Sequence, residues 1–411
     1  MSYTERREQI YGPLRQQGNF SWDYLYGQEY ALASLGCIGQ QDKWELSRAT
    51  KHLGSIFART VLAAQRSGDA LLNELGIPPK AFDAVRLPIF SIMPTLFGRF
   101  DFARTVGGWK MLEFNADTPG GLMEAYRINE AVCRFYGVSN PNKECEADIA
   151  RSFSQAITLY KELGYPVDQI AFSALEWHAE DNGTMQFLRQ ASGLTATFIA
   201  LKDLRVYRDR LCGFINGELV PIDVWIRLHP LGILSEETDK DGYPTGAHVL
   251  ALIAQKRLAA LNPASALLAQ TKALQALIWN LYEAREFFTA SERDVIGQYM
   301  LPTYFENRFV GKYSYVVKPI LGREGGGVSI YNADGTLLEQ SSDGSYKNQK
   351  TIYQKFVEME MVTVETLRGL LQGFVIWGSF LMGGQASAVN ARVGGRITDD
   401  LSYFLPVEFI K

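Results

Sequence analysis

Residues 99–125 read RFDFARTVGGWKMLEFNADTPGGLMEA. Two runs of alternating character, RFDFA and WKMLEFN, flank Val106-Gly107-Gly108, the pattern of a β-hairpin closed on glycine. Successive strand side chains point to opposite faces, so Arg99 with Asp101, and Glu113 with Asn115, project in pairs. A turn centred near Gly107-Gly108 brings the two pairs opposite each other. Two carboxylates and a carboxamide then converge beside a guanidinium. Oxygen donors without histidine suit Mg²⁺, which binds through a few carboxylates and completes its shell with phosphate and water. Spacing alone leaves two other readings open: a surface ion pair on a solvated strand face, or a glycosidase pair of Asp101 and Glu113. The second gives Arg99 and Asn115 no role.

Farther along, residues 315–331 read YVVKPILGREGGGVSIY. A strand ends at Lys318, Pro319 stops it, and a loop with glycines at 322, 325, 326 and 327 leads to another strand. Glycine allows the close backbone approach that amide contacts to phosphate require, and Lys318 adds a point charge. The loop is not a Walker A motif, because no G-K-[ST] opens a helix after it. Taken alone, it reads first as a flexible hairpin loop, and only second as a phosphate cradle. The strand Ile352-Tyr353-Gln354-Lys355-Phe356-Val357 has the apolar character with polar interruptions that can line an adenine slot. An ordinary half-buried strand would read the same way.

Composition narrows the function class. The 411 residues suffice for two or three domains or one multi-layered unit, and 47% hydrophobic with 21% charged residues marks a chain with a real core. Net charge is −4 and the 41 basic residues are dispersed, which excludes the electrostatic footprint of a nucleic-acid binder. Cys37, Cys133, Cys145 and Cys212 form no C-x-x-C pair, so a disulfide scaffold and a thiolate zinc site are excluded and a reducing compartment is expected. His52, His178, His229 and His248 are scattered, so any metal must be held by oxygen. The polar N-terminus MSYTERREQIYGPLRQQG carries no secretion signal, and the expected location is cytoplasmic. The uncharged stretch from Gly369 to Ala391 is long enough for a bilayer, but its apolar runs FVIWGSFLM and ASAVNA flank Gly383-Gly384 and read as a buried hairpin.

A helical spacing runs from Asp42 to a stop at Gly76-Ile77-Pro78-Pro79, and a second helix from about Leu122 to Phe135. Between Val167 and Leu228, β-like runs alternate with helical pieces, which predicts an α/β layer with a partly parallel sheet. His248 to Phe288 reads as mainly helical, broken at Asn262-Pro263-Ala264-Ser265, and the last third is β-rich. The expected organisation is a helical region plus the metal-binding hairpin in 1–165, an α/β substrate-side domain in 166–260, and a nucleotide-binding region with a Gly-rich lid in 261–411.

KMLEFNADTPGGLMEA, preceded by RFDFA and followed by YVVKPILGREGGGVSI, resembles the synthetase part of the glutathionylspermidine synthase family, ATP-grasp carboxylate–amine ligases. Further motifs carry the resemblance from roughly Gly27 to the C-terminus: EDNGTMQFL at 180–188, TKALQALIW at 271–279 and LPTYFEN at 301–307. The resemblance implies ATP and Mg²⁺, with Asp101, Glu113 and Asn115 as metal ligands and Arg99 meeting the transferred phosphate. It implies Lys272 and Lys318 as nucleotide-binding lysines, Arg323, Glu324 and Gly325 on the loop over the phosphates, and Gln354, Lys355, Phe356 and Val357 facing adenine. Arg392 matches a late arginine near the phosphates, while Thr118, Glu180 and Asp181 fall where the family contacts glutathione and the amine. Because the metal ligands precede the lysines, the resemblance implies an ATP-grasp-like mixed α/β fold in circularly permuted order. The family's serine at the glutathione site is here Thr118. Its late acidic residue near the polyamine is here Tyr403, which leaves room for another amine. The amidase domain of the family's bifunctional members is expected to be absent. The expected activity is amide formation through an acyl phosphate from a small-molecule or peptide carboxylate and an amine, without nucleic-acid or membrane partners. A non-catalytic ATP-binding module of the same fold is the alternative.

Overall fold

A computed structural model describes residues 1–18, 20–399 and 401–411. The hairpin forms from strands Phe97–Thr105 and Gly108–Asn115, with Val106-Gly107 as the two-residue turn and Gly108 at φ +90°. The turn thus sits one residue earlier than the sequence pattern places it. From that turn a regular ladder would set Asp101 against Leu112. Instead Phe102 pairs with Met111 while Asp101 pairs with Glu113 and Arg99 with Asn115, so Leu112 is extruded as a β-bulge. A one-residue change of register moves side chains to the opposite face. The bulge therefore puts all four polar side chains on one face.

This hairpin is part of a six-stranded antiparallel sheet. Phe97–Thr105 pairs with Gly369–Met382, which pairs with Gln385–Gly394, which pairs with Tyr403–Leu405; Met361–Thr366 also pairs with Gly369–Met382. The uncharged stretch read as a hairpin is these two long strands around Gly383-Gly384. Among the described residues no helix is long and apolar enough to cross a membrane. One face of the sheet is apolar and is covered by the helix Gln40–Gln65: Phe57 meets Phe100 and Phe114 edge-on at 5.5 and 5.1 Å, and Phe100 stacks on Phe114 at 3.8 Å. The other face keeps its polar residues. The helical pattern that continues toward Gly76 resumes only at Asp69–Glu74, after Gly68 turns into extended backbone.

A second antiparallel sheet runs in the order 303–304, 351–355, 315–319, 329–331, 337–340, with the Gly-rich loop joining Tyr315–Pro319 to Ser329–Tyr331. The α/β layer is a four-stranded parallel sheet in the order Ala259–Leu261, Val224–Arg227, Ile170–Ser173, Thr197–Phe198. Its first strand interrupts the stretch read as mainly helical; the three residues Ala-Ala-Leu are too short a run to show a strand period. The helix predicted from Leu122 appears as a π-helical turn, Glu124–Ile128, continued by Asn129–Tyr136 and ended by Gly137 in the left-handed conformation. Strand Val407–Ile410 closes back in parallel on Gly36–Gly39. All four cysteines are free.

Candidate functional site

The polar face of the hairpin is tied together by charge. Arg99 grips Asp101 with two parallel bonds, Nε to Oδ1 at 2.6 Å and Nη2 to Oδ2 at 2.9 Å, and its third nitrogen donates to the Gly120 carbonyl at 2.6 Å. Arg392, two strands away, donates to the same Asp101 Oδ2 at 2.8 Å. The aliphatic stem of Arg99 lies over Gly378, where an added Cβ would come within 2.7 Å of Arg99 Cδ and 2.0 Å of Asn390 Oδ1. Only glycine leaves that passage open. Burial works against the Arg99 charge, but Asp101 overcomes it and raises the guanidinium further above its ordinary value.

Glu113 takes the other half of the site. Its Oε2 lies 3.1 Å from Lys272 Nζ, and that ammonium also donates to the Gly322 carbonyl at 2.8 Å. Burial alone would raise the Glu113 carboxyl; Lys272 and Lys318 overcome it and hold it well below the usual carboxylate range. Lys318 is buried and donates to Gln354 Oε1 at 2.7 Å and to the Leu112 carbonyl at 3.1 Å. That carbonyl is the one the bulge turns out of the ladder. Burial, with the neighbouring Lys272 charge, brings the Lys318 ammonium down to about 8, against the pull of Glu113 and Asp101.

The Asn115 amide lies 3.2 Å from Asp101 Oδ2 and 3.3 Å from Glu113 Oε1, so the three expected ligands meet at one point. A carboxamide can turn either its nitrogen or its oxygen to that point. Among the described residues no group of three or more His, Cys, Asp or Glu gathers to hold a metal. Two carboxylates and a carboxamide fit a cation that takes the rest of its shell from phosphate and water, as Mg²⁺ does. As a glycosidase pair the two carboxylates do not fit. The acid of such a pair must carry a proton, whereas Asp101 is ion-paired to two arginines and Glu113 is held strongly ionised.

Two pockets open on this centre. The first is mostly apolar, walled by Leu301, Val316, Ile330, Phe356, Met359 and Ile376, with Lys272, Lys318, Asp101 and Glu113 also lining it. Gln354, Lys355 and Val357 also line it, and Lys355 Nζ sits 4.2 Å above the Tyr313 ring. The second pocket is polar. Arg99, Asn115, Thr118, His178, Glu180 and Glu324 face it. Glu113, Gly325, Arg392 and Thr398 belong to both walls. Arg323 donates to Thr118 Oγ1 at 2.8 Å, and Gly325, at φ +69°, passes so close that an added Cβ would lie 2.1 Å from the Thr398 carbonyl. The Gly-rich loop is therefore packed down across the junction of the pockets.

Asp181 does not line either of these pockets. It turns to His178, 3.5 Å from Nδ1, because successive helix residues point about 100° apart and Glu180 already faces inward. Tyr403 packs against the main apolar cluster, and the acidic side chain on that side of the polar pocket is Asp399. Asn262 escaped the sequence reading. Fully buried, it accepts from the amides of Leu96 and Phe97 and donates to the carbonyls of Phe97, Ala116 and Asp117, clamping both ends of the hairpin. Its only signal was the Asn-Pro break. The buried Arg227–Asp117 pair at 2.7 Å, which fixes the segment carrying Thr118, gave none.

The family model for the glutathionylspermidine synthase preATP-grasp region matches residues 2–410. A putative acid–amine ligase of Haemophilus influenzae is 26% identical over 332 residues, 77% of this chain and 75% of its own. The glutathionylspermidine synthase of Crithidia fasciculata is 25% identical over 299 residues, 66% of this chain, and the match spans 39% of that protein's length. Among solved structures, a glutathione synthetase-like effector from Globodera pallida in its apo form superposes with a TM-score of 0.62, over 100% of this chain and 98% of its own, at 12% identity; it shares the fold. The chain belongs to the glutathionylspermidine synthase preATP-grasp family.

Proposed function

We propose that the protein is an ATP- and Mg²⁺-dependent carboxylate–amine ligase that joins a peptide or other small carboxylate to an amine through an acyl phosphate. The observation that carries this reading is the shared wall: Glu113 and Arg392 border both the mostly apolar pocket lined by Lys272 and Lys318 and the polar pocket. A nucleotide in the first would end where a carboxylate in the second begins. A module that only bound nucleotide would need the first pocket alone.

A carboxylate oxygen is a poor leaving group, and phosphorylation corrects this before the amine attacks. The protein's part in such a transfer is positioning and neutralising charge. Lys272 and Lys318 neutralise nucleotide phosphates in the apolar pocket. Arg99 and Arg392, held in place by Asp101, meet the transferred phosphoryl group from the polar side. Mg²⁺ held by Asp101, Glu113 and Asn115 would supply further charge stabilisation on the phosphate oxygens. The loop at 322–327, latched by Arg323 on Thr118, keeps water from the activated carboxylate.

The names of the relatives support a ligase of this class, and glutathione is the first carboxylate to try. The test is incubation of the purified protein with ATP, Mg²⁺ and a panel of peptide carboxylates and amines headed by glutathione and spermidine. Amide product with equimolar ADP is expected; no ADP above background with any pair would overturn the proposal.

A further inference from the structure

Among the described residues, two carboxylates of the polar pocket, Glu180 and Glu324, have no hydrogen-bond or ion-pair partner, and Glu180 is the one set on a helix. Glu180 enters it from the first turn of the helix Ala179–Ala191, and among the described residues no donor hydrogen-bonds to its side chain. It stands against the backbone of Gly120, where an added Cβ would lie 2.9 Å from its Oε1. The carbonyl of Gly120 takes the bond from Arg99. One peptide unit thus separates Glu180 from the guanidinium assigned to the phosphoryl group.

Behind it lies a second carboxyl. Glu124 is completely buried; its Oε1 accepts from Trp22 Nε1 at 2.7 Å and from Tyr30 OH at 3.2 Å, and among the described residues its Oε2 meets no donor. Tyr30 also lines the polar pocket. The segment that carries Trp22 and Tyr30 is anchored by buried Arg7, which bonds Asp23 at 2.9 Å and pairs with Glu29 at 3.2 Å.

We propose that Glu180 takes the proton which the acceptor ammonium must lose before it can attack, and that Glu124 is the positioning and tuning residue behind it. The proposal rests on the ligase reading above and adds to it a base. An N–H bond of the ammonium breaks and an O–H bond forms on Glu180. The freed nitrogen lone pair forms the C–N bond, and the C–O bond to the phosphoryl group breaks with its electron pair leaving on phosphate. The second nitrogen proton goes to the departing phosphate, and Glu180 returns its own to water.

The groups facing Glu180 fit this work. Burial is the main cause that raises its carboxyl, Glu124, Asp181 and Glu324 add to it, His178 opposes, and the result is about 8. Arg99 and Tyr30 are the other titratable groups on Glu124, whose own carboxyl burial also raises. A base poised near the working pH transfers protons most efficiently.

The test compares two acceptors on the full-length protein, using whichever peptide carboxylate of the panel supports turnover. Spermidine enters as an ammonium, whereas hydroxylamine is already neutral at pH 7 and needs no base. Glu180→Gln should lower kcat/KM for spermidine about 10²–10⁴-fold, at least tenfold more than it lowers kcat/KM for hydroxylamine. In the wild type, kcat/KM for spermidine should rise with pH as Glu180 ionises near 8, and in Glu124→Gln, which removes a negative neighbour, that limb should move to lower pH. Equal losses with both acceptors, or an unmoved limb in Glu124→Gln, would overturn the proposal. Wild-type protein that forms no hydroxamate with any carboxylate would instead overturn the ligase reading itself.

Discussion

Asp101 and Glu113 stand directly opposite each other across the hairpin although the turn register would set Asp101 against Leu112. The extruded Leu112 reconciles the two, and its carbonyl becomes a ligand for Lys318. One irregular residue therefore links the carboxylate pair to a lysine on another sheet. Lys318→Met keeps the stem but loses the charge and both hydrogen bonds. ATP affinity, read by calorimetry, should fall roughly 10–100-fold, the worth of one charge-assisted contact, with little change in thermal midpoint.

Asp101 pairs with two arginines, so its replacement must keep the shape to be informative. Asp101→Asn retains hydrogen-bonding atoms but removes the charge that orients Arg99 and Arg392. Turnover should drop by about 10²–10³-fold, the typical loss when one element of a preorganised charge site is removed, while circular dichroism stays native. Asp101→Ala is the poorer experiment, because it strands the buried Arg99 and costs about 3–5 kcal/mol of stability.

Gly378 is the passage for the Arg99 side chain. In Gly378→Ala the new methyl would strike Asn390 and Arg99. A loss of about 1–3 kcal/mol is expected from overpacking, with an activity loss larger than that of Asn390→Ala. The double variant, with space returned at Asn390, should recover part of the stability in a urea titration.

Asn262→Ala tests the clamp under the hairpin. It leaves the Leu96 and Phe97 amides and several carbonyls without their partner. Each stranded buried group costs about 1–3 kcal/mol, so urea unfolding should show one of the largest losses of any single substitution in the chain.

The loop latch makes a prediction about coupling. Arg323→Ala removes the bond to Thr118 and should let water reach the activated carboxylate. ADP release would then exceed amide formation, where the wild type gives equal amounts. An unchanged ratio would remove the latch from the account.

How far the site could be read from sequence follows from which interactions are local. The Arg99–Asp101 and Glu113–Asn115 pairs obey the two-residue strand period, so both were visible, as were Lys318 before its glycines and the hairpin around Gly383-Gly384. The bulge was not, because nothing in WKMLEFN marks Leu112 as the extra residue. Lys272 and Arg392 were reached through resemblance alone, since they meet Glu113 and Asp101 from elements more than a hundred residues away. Glu180 and Asp181 looked equivalent in sequence, and helix geometry separates them. Asn262, Gly378 and the Arg227–Asp117 pair act through tertiary contact, and the strand Ala259–Leu261 is too short to carry a period.

The central claim is that this one site activates a carboxylate by phosphorylating it. The most direct measurement uses a donor carboxylate labelled with heavy oxygen, glutathione first among the panel, incubated with ATP, Mg²⁺ and amine, with the inorganic phosphate analysed by mass spectrometry. An acyl phosphate requires that each amide formed transfer one labelled oxygen to phosphate. Phosphate released without label, while ADP accumulates, would contradict the account.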